Sequence, residues 1–117
     1  METPIEVKER SSGSIMIFEF AWELDETNSD KTFQSLYKTI WEFAWKKLIF
    51  NFSWLKYLNS KSIGYIADIF SNIEEGQGKM YITDCMEWVK DVLELVWITS
   101  IIPTVDDEQE AITAMKA

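Results

Sequence analysis

Two apolar periodicities take turns along this chain, and their order leaves few folds open. Residues 14–21, Ser-Ile-Met-Ile-Phe-Glu-Phe-Ala, form a short, β-prone apolar run. Ile5-Glu6-Val7-Lys8 alternates ahead of it, and Ser11-Ser12-Gly13 reads as a hairpin turn between the two. Phe33, Leu36, Tyr37, Ile40 and Ala44 then fall at i, i+3, i+4, i+7 and i+11, one face of an amphipathic helix. Leu48 to Phe52 is almost continuously apolar, as a buried parallel strand is. Ile63, Ile66, Ala67, Phe70 and Ile73 give a second helical face, which Glu74-Glu75-Gly76-Gln77-Gly78 ends. Lys79 to Thr83 reads as a strand, and Met86, Val89, Leu93 and Val96 as a third helical face. Ile101 to Val105 reads as a short last strand, placed at an edge by Pro103. Asp106-Asp107-Glu108 opens a final helix with acids where the dipole favours them, and Ala111, Ile112 and Met115 form its buried side.

Strands alternating with helices through short connectors imply right-handed βαβ crossovers. The expectation is an α/β fold: one domain over residues 1–117, with a mostly parallel central sheet of about five strands and four helices. In such sheets, sites lie beyond the carboxyl ends of the strands.

The chemistry on offer is narrow. The chain has no histidine, which removes the commonest general base and metal ligand, and it carries neither a Walker A loop nor a GxGxxG turn. Cys85 is the single cysteine, so no internal disulfide forms; it reads as a small residue after a strand. No metal, no cofactor and no enzymatic activity are expected. The net charge of −9 repels phosphate backbones, so a nucleic-acid partner is not expected; it suits a basic protein partner, or serves solubility with no specific partner. No apolar run reaches the length of a membrane span, and the first residues lack the basic-then-apolar order of a secretory signal; cytoplasmic residence is the default.

One junction stands out. Tyr57-Leu58-Asn59-Ser60-Lys61-Ser62-Ile63-Gly64 lies between a strand run and a helix run, which places Ser60 near a helix N-terminus. There a hydroxyl caps backbone N–H groups, and a phosphate is electrostatically welcome. Plain capping by Ser60, shared with Asn59, is the competing reading. A serine–lysine nucleophile is not expected, because neighbours at a helix start point about 100° apart. Six tryptophans are present. Trp41, Trp45 and Trp54 cannot all be central core residues; they are expected to cover the ends of the sheet, leaving some aromatic surface exposed.

The order of elements and the junction residues resemble the STAS domain, the fold of bacterial anti-sigma factor antagonists, over roughly residues 14–115. Phe20-Ala21-Trp22-Glu23-Leu24-Asp25 is similar to the family's L-x-G-E-L-D segment. Residues 51–64, from Asn51-Phe52-Ser53 to Ser62-Ile63-Gly64, are similar without a gap to D-L-S-x-V-x-F-I-D-S-S-G-L-G. The stretch from Val92 through Ile101-Ile102-Pro103 to Ile112 is similar to the last helix, strand and helix of the family.

The resemblance implies a regulatory protein-interaction module in a partner-switching pathway of transcription control. Ser60 matches the phosphoacceptor, and Asn59, Lys61, Ser62, Asp25 and Asn51 are expected on the partner-binding surface. Ser62 is also a second, weaker candidate acceptor. The implied partners are a serine kinase that is itself an anti-sigma factor and a PP2C-like phosphatase. The alternative is a STAS scaffold that binds a protein or small ligand without phosphorylation. The chain departs from the pattern where Trp22 replaces glycine, Asn51 and Asn59 replace aspartates, Lys61 replaces a small hydroxyl residue and Ser62 replaces glycine. Lys61 is expected to offset part of a phosphate's charge at Ser60.

Overall fold

The computed structural model describes residues 5–116. The secretory-signal reading rests on the first residues, of which 1–4 lie outside that range. The first two strands, β1 (Glu6–Ser12) and β2 (Ile15–Leu24), form an antiparallel hairpin. Ser12 pairs with Ile15, so the loop is two residues long and begins at Gly13, φ +60. A left-handed first loop residue matches the twist of the strands, and glycine adopts it without steric cost. The turn therefore sits later than the expected Ser11-Ser12-Gly13, and both serines belong to β1.

The chain continues through α1 (Ser29–Ile40), β3 (Lys47–Leu58), α2 (Ser60–Glu75), β4 (Lys79–Thr83) and α3 (Glu87–Leu95). A single 3-10 turn, Ile98–Ser100, leads to β5 (Thr104–Val105) and α4 (Glu108–Lys116). The sheet order is β1-β2-β3-β4-β5, parallel throughout except for the first hairpin. The α/β class, the five strands and the four helices are as expected. β5 is an edge strand but is shorter than expected, because Ile101, Ile102 and Pro103 stay outside it; the Pro103 carbonyl accepts from the Ile82 N–H.

The three helices α1, α2 and α3 cover one face of the sheet. Phe33, Leu36 and Ile40 of α1, Ile66, Ile69 and Ile73 of α2, and Val89 and Leu93 of α3 pack with Phe18, Phe20, Phe50, Phe52 and Ile82. The opposite face is covered by α4, where Ala111, Ile112 and Met115 meet Ile15, Ile17 and Ile49. The alternation along β2 therefore divides its residues between two cores: Ile15 and Ile17 go to one, Phe18 and Phe20 to the other.

β3 is the largest departure from expectation. It runs to Leu58, whereas the apolar run in the sequence stops at Phe52. Register shifts against β2 fall between Glu19 and Ala21 and between Trp22 and Glu23, each adding one residue on β3. Each such bulge flips the faces of every later residue. The large core is consequently met by Leu48, Phe50 and Phe52, then by Leu55, then by Leu58. The segment Ser53 to Leu58 thus belongs to the strand, and it carries the chain to the start of α2.

Two helices end earlier than their apolar pattern. At Trp41, φ 64, the backbone leaves α1, so Ala44 lies in a loop rather than on the helix face. Val96 lies past α3 and is exposed. The loop before β3 packs tightly on the turn before β4, where a Cβ on Gly78 would stand 2.2 Å from the Lys46 carbonyl oxygen. Only glycine fits there. Trp41 and Trp45 project from the same loop at 83% and 71% exposure, and Trp54 is also exposed. Aromatic surface is thus exposed, as expected.

Candidate functional site

The carboxyl ends of β2 and β3 bring two helix starts together. The Asn59 N–H donates to the Leu24 carbonyl at 3.1 Å, which places the β2–α1 loop beside the β3–α2 junction. Asn59 is extended, with φ −91 and ψ 172, and its Oδ1 accepts from the Ser62 N–H at 2.9 Å. That is the N-cap of α2. Asn59→Ala is expected to cost about 0.5–2 kcal/mol, read as a lower urea midpoint.

Asn59, not Ser60, therefore caps the helix. Ser60 is the first residue of α2, and it is exposed. Its hydroxyl has no hydrogen-bond partner among the described residues. The N–H groups at this first turn precede any intrahelical acceptor and lie at the positive end of the helix.

The neighbours are held more firmly. Lys61 Nζ reaches Asp30 Oδ2 at 2.9 Å, and the Tyr65 hydroxyl donates to Asp30 Oδ1 at 2.6 Å. Asp30 sits in the first turn of α1, so its carboxylate ties α1 to α2. The Tyr65 hydroxyl first, and Lys61 second, hold Asp30 below the usual carboxylate range. Its depressed value means a contribution to stability that is present above the ordinary carboxylate pKa and lost as the pH falls through the folded one. Asp30→Asn is expected to flatten the decline of melting temperature below about pH 4.

Ser62 is fully buried, and its hydroxyl meets that of Ser29, also buried, at 2.8 Å. This corrects the expectation of a partner-facing Ser62, and it removes Ser62 as an accessible second acceptor. The serine that stands where glycine is usual is satisfied internally by another serine. Asn51 is also withdrawn from the surface. It points to the α4 face, donates to Glu108 at 2.9 Å and accepts from the backbone and hydroxyl of Ser53. Glu108 in turn pairs with Arg10, so Asn51 anchors the start of α4 and does not join the junction.

Asp25 does join it. Its Oδ1 accepts from the Thr27 hydroxyl and N–H and from the Asn28 N–H, and these bonds, the Thr27 hydroxyl foremost, lower its pKa. Asp25, Thr27 and Asn28 border a cleft of about 730 Å³ between β1 and α1, also lined by Val7, Phe18 and Leu36. Ser29, Asp30 and Tyr65 were not singled out from the sequence. They lie in or beside the polar connector before α1 or on α2, and the contact between the two is non-local.

Burial pushes the Cys85 thiol up to about 12, so it is not a reactive thiolate near neutrality. Among the described residues no cluster of metal-ligating side chains occurs, and no helix is long and apolar enough to cross a membrane.

The STAS domain model matches residues 6–111, nearly the whole chain. The chain belongs to the STAS domain family. Solved STAS-fold structures superpose over almost its full length. A Thermotoga maritima protein described as a candidate anti-sigma factor antagonist is 20% identical, with a TM-score of 0.89 and 95% of each chain covered. An anti-sigma factor antagonist from Mycobacterium paratuberculosis is 14% identical, with a TM-score of 0.85 and coverage of 97% and 96%. The anti-sigma factor antagonist SpoIIAA, in its unphosphorylated form, is 15% identical, with a TM-score of 0.71 and coverage of 97% and 99%. No curated protein sequence matches at a significant level. Within this STAS domain, Trp22, for which the resemblance implied glycine, stands at φ 84, a backbone region that favours glycine. Lys56 lies over its ring at 5.1 Å, a cation–π contact.

Proposed function

We propose that this STAS domain is an anti-sigma factor antagonist switched by phosphorylation of Ser60. The observation that carries the reading is the contrast between two serines of one helix turn. Ser60 is exposed and its hydroxyl has no hydrogen-bond partner among the described residues, whereas that of Ser62 is buried against Ser29. A kinase reaches the first without unfolding the helix.

The partner surface would be Ser60 with Asn59, Lys61 and the Asp25 loop. The partners would be a serine kinase acting as the anti-sigma factor and a PP2C-like phosphatase, in the cytoplasm. The domain would act by binding, with no catalysis of its own. A phosphate on Ser60 is accommodated by the positive end of α2, so it need not refold the domain. It acts instead by placing about −1.5 to −2 charges in a surface that a partner must desolvate. Lys61 is paired with Asp30 at 2.9 Å, so a phosphate on Ser60 would share its ammonium with a carboxylate.

Incubation with the purified anti-sigma kinase and ATP is expected to add one phosphate, located by mass spectrometry within residues 57–73. A peptide from that region that stays unmodified would sink the switch. The β1–α1 cleft favours a second reading, a scaffold that binds a ligand without phosphorylation. In that case binding is indifferent to Ser60→Asp.

A further inference from the structure

Helix α3 has two working faces. Val89 and Leu93 are buried in the large core, as an amphipathic helix requires. Trp88, Val92 and Leu95 fall at i, i+4 and i+7 on another face, which leaves them in one outward stripe. Trp88 is 44% exposed and Leu95 78%. Past the helix end, Trp97 and Ile101 add further exposed apolar surface, at 72% and 57%. Apolar side chains concentrated in this way on a small domain mark a contact surface.

A second row runs beside the stripe. Glu87, Asp91 and Glu94, again at i, i+4 and i+7, are all exposed. The last turn of α3 contains no basic residue, so the negative end of the helix dipole is uncompensated by its own side chains. Stripe, acidic row and helix end all favour the same complement: an apolar ridge flanked by positive charge.

We propose that the outer face of α3 is a second docking surface, and that its occupant is a basic amphipathic helix of a partner protein. The partner lays its apolar side on Trp88, Val92 and Leu95 and pairs lysine or arginine with Glu87, Asp91 and Glu94. A second copy of the chain is disfavoured, because it would bring three more carboxylates and a further net charge of −9 to the same face. An anionic lipid surface is repelled by the same row. This surface is carried by α3, whereas Ser60 lies on α2.

A fluorescein-labelled synthetic helix of about 18 residues, leucine on one face and lysine on the other, probes it by anisotropy up to about 100 μM. The lysine helix is expected to bind, and a version with glutamate in place of lysine is not. Trp88→Ala and Leu95→Ser are each expected to weaken binding about tenfold or more, as central apolar anchors do. Reversing the acidic row with Glu87→Lys, Asp91→Lys and Glu94→Lys is expected to switch preference to the glutamate helix. Ser60→Asp is expected to leave binding unchanged. Amide shifts of the wild-type protein on addition of the lysine helix are expected to cluster on α3, which keeps the test independent of any variant's folding. The proposal is overturned if the lysine helix fails to bind, if binding ignores both apolar substitutions, or if the shifts map elsewhere. Sedimentation showing a wild-type dimer that Leu95→Ser dissolves would assign the face to a second copy instead.

Discussion

Ser60→Asp is expected to weaken binding to the anti-sigma partner about 30-fold or more, while stability changes by less than about 1 kcal/mol. The two halves of this result have one origin. Ser60 is the first residue of α2, exposed and without a hydrogen-bond partner among the described residues, so nothing inside the domain is lost when it changes. The helix start even favours the added charge. A docked partner has no such provision: it would have to strip water from a carboxylate and leave it unpaired. Lys61 gives only partial relief, because its ammonium is shared with Asp30 at 2.9 Å. Titration calorimetry with the partner, beside thermal unfolding of the free domain, reads both halves. Ser60→Ala is the control, expected to bind as the wild type does and to resist phosphorylation. Unchanged affinity for Ser60→Asp would favour the phosphorylation-independent scaffold, and a large loss of melting temperature would make Ser60 structural.

Phe20→Ala is expected to remove about 3–5 kcal/mol of stability. Its ring is fully buried and meets three others, Phe50 at 5.1 Å, Phe52 at 5.2 Å and Phe33 at 6.4 Å between centroids. Phe50 and Phe52 belong to β3 and Phe33 to α1, so one side chain joins two strands to a helix. Truncation opens a cavity that none of these rigid neighbours can fill. A domain typically holds only about 5–15 kcal/mol in all, so the loss is a large share. Urea unfolding followed by circular dichroism checks it: the midpoint should fall with little change of slope. A loss below about 1 kcal/mol would mean that the site collapses and that the aromatic cluster is not the centre of the core.

The alternation of β and α segments was legible because each covers its own stretch of sequence with a clear period. Leu48 to Phe52 and Lys79 to Thr83 are strands where the apolar runs fall, and Phe33, Leu36 and Ile40 face the core at helical spacing. Legibility failed where the period breaks. The two bulges on β3 shift its inward positions from Phe52 to Leu55 to Leu58, so the strand's second half has no constant alternation to read. Val96 continues a helical spacing that the chain itself does not follow.

Ser60 was placed near a helix start because the strand-to-helix order around it is local. The roles of its neighbours were not local. Asn59 is the cap, Ser62 is sealed against Ser29 across 33 positions of sequence, and Lys61 answers Asp30 across 31. Asn51 matches a family position but belongs to the contact with Glu108, across 57 positions and on the other face of the sheet.

The amino-acid sequence by itself determined the order and type of the elements, the absence of histidine-based chemistry, and the position of one serine at the head of α2. Hydrophobic period, capping residues and composition act within a few residues of one another, and so they can be read along the chain. Tertiary structure alone decided which of the junction's hydroxyls is free. That depends on which helix start lies beside which, and the pairing of β2 with β3 sets this by joining the Leu24 carbonyl to the Asn59 N–H.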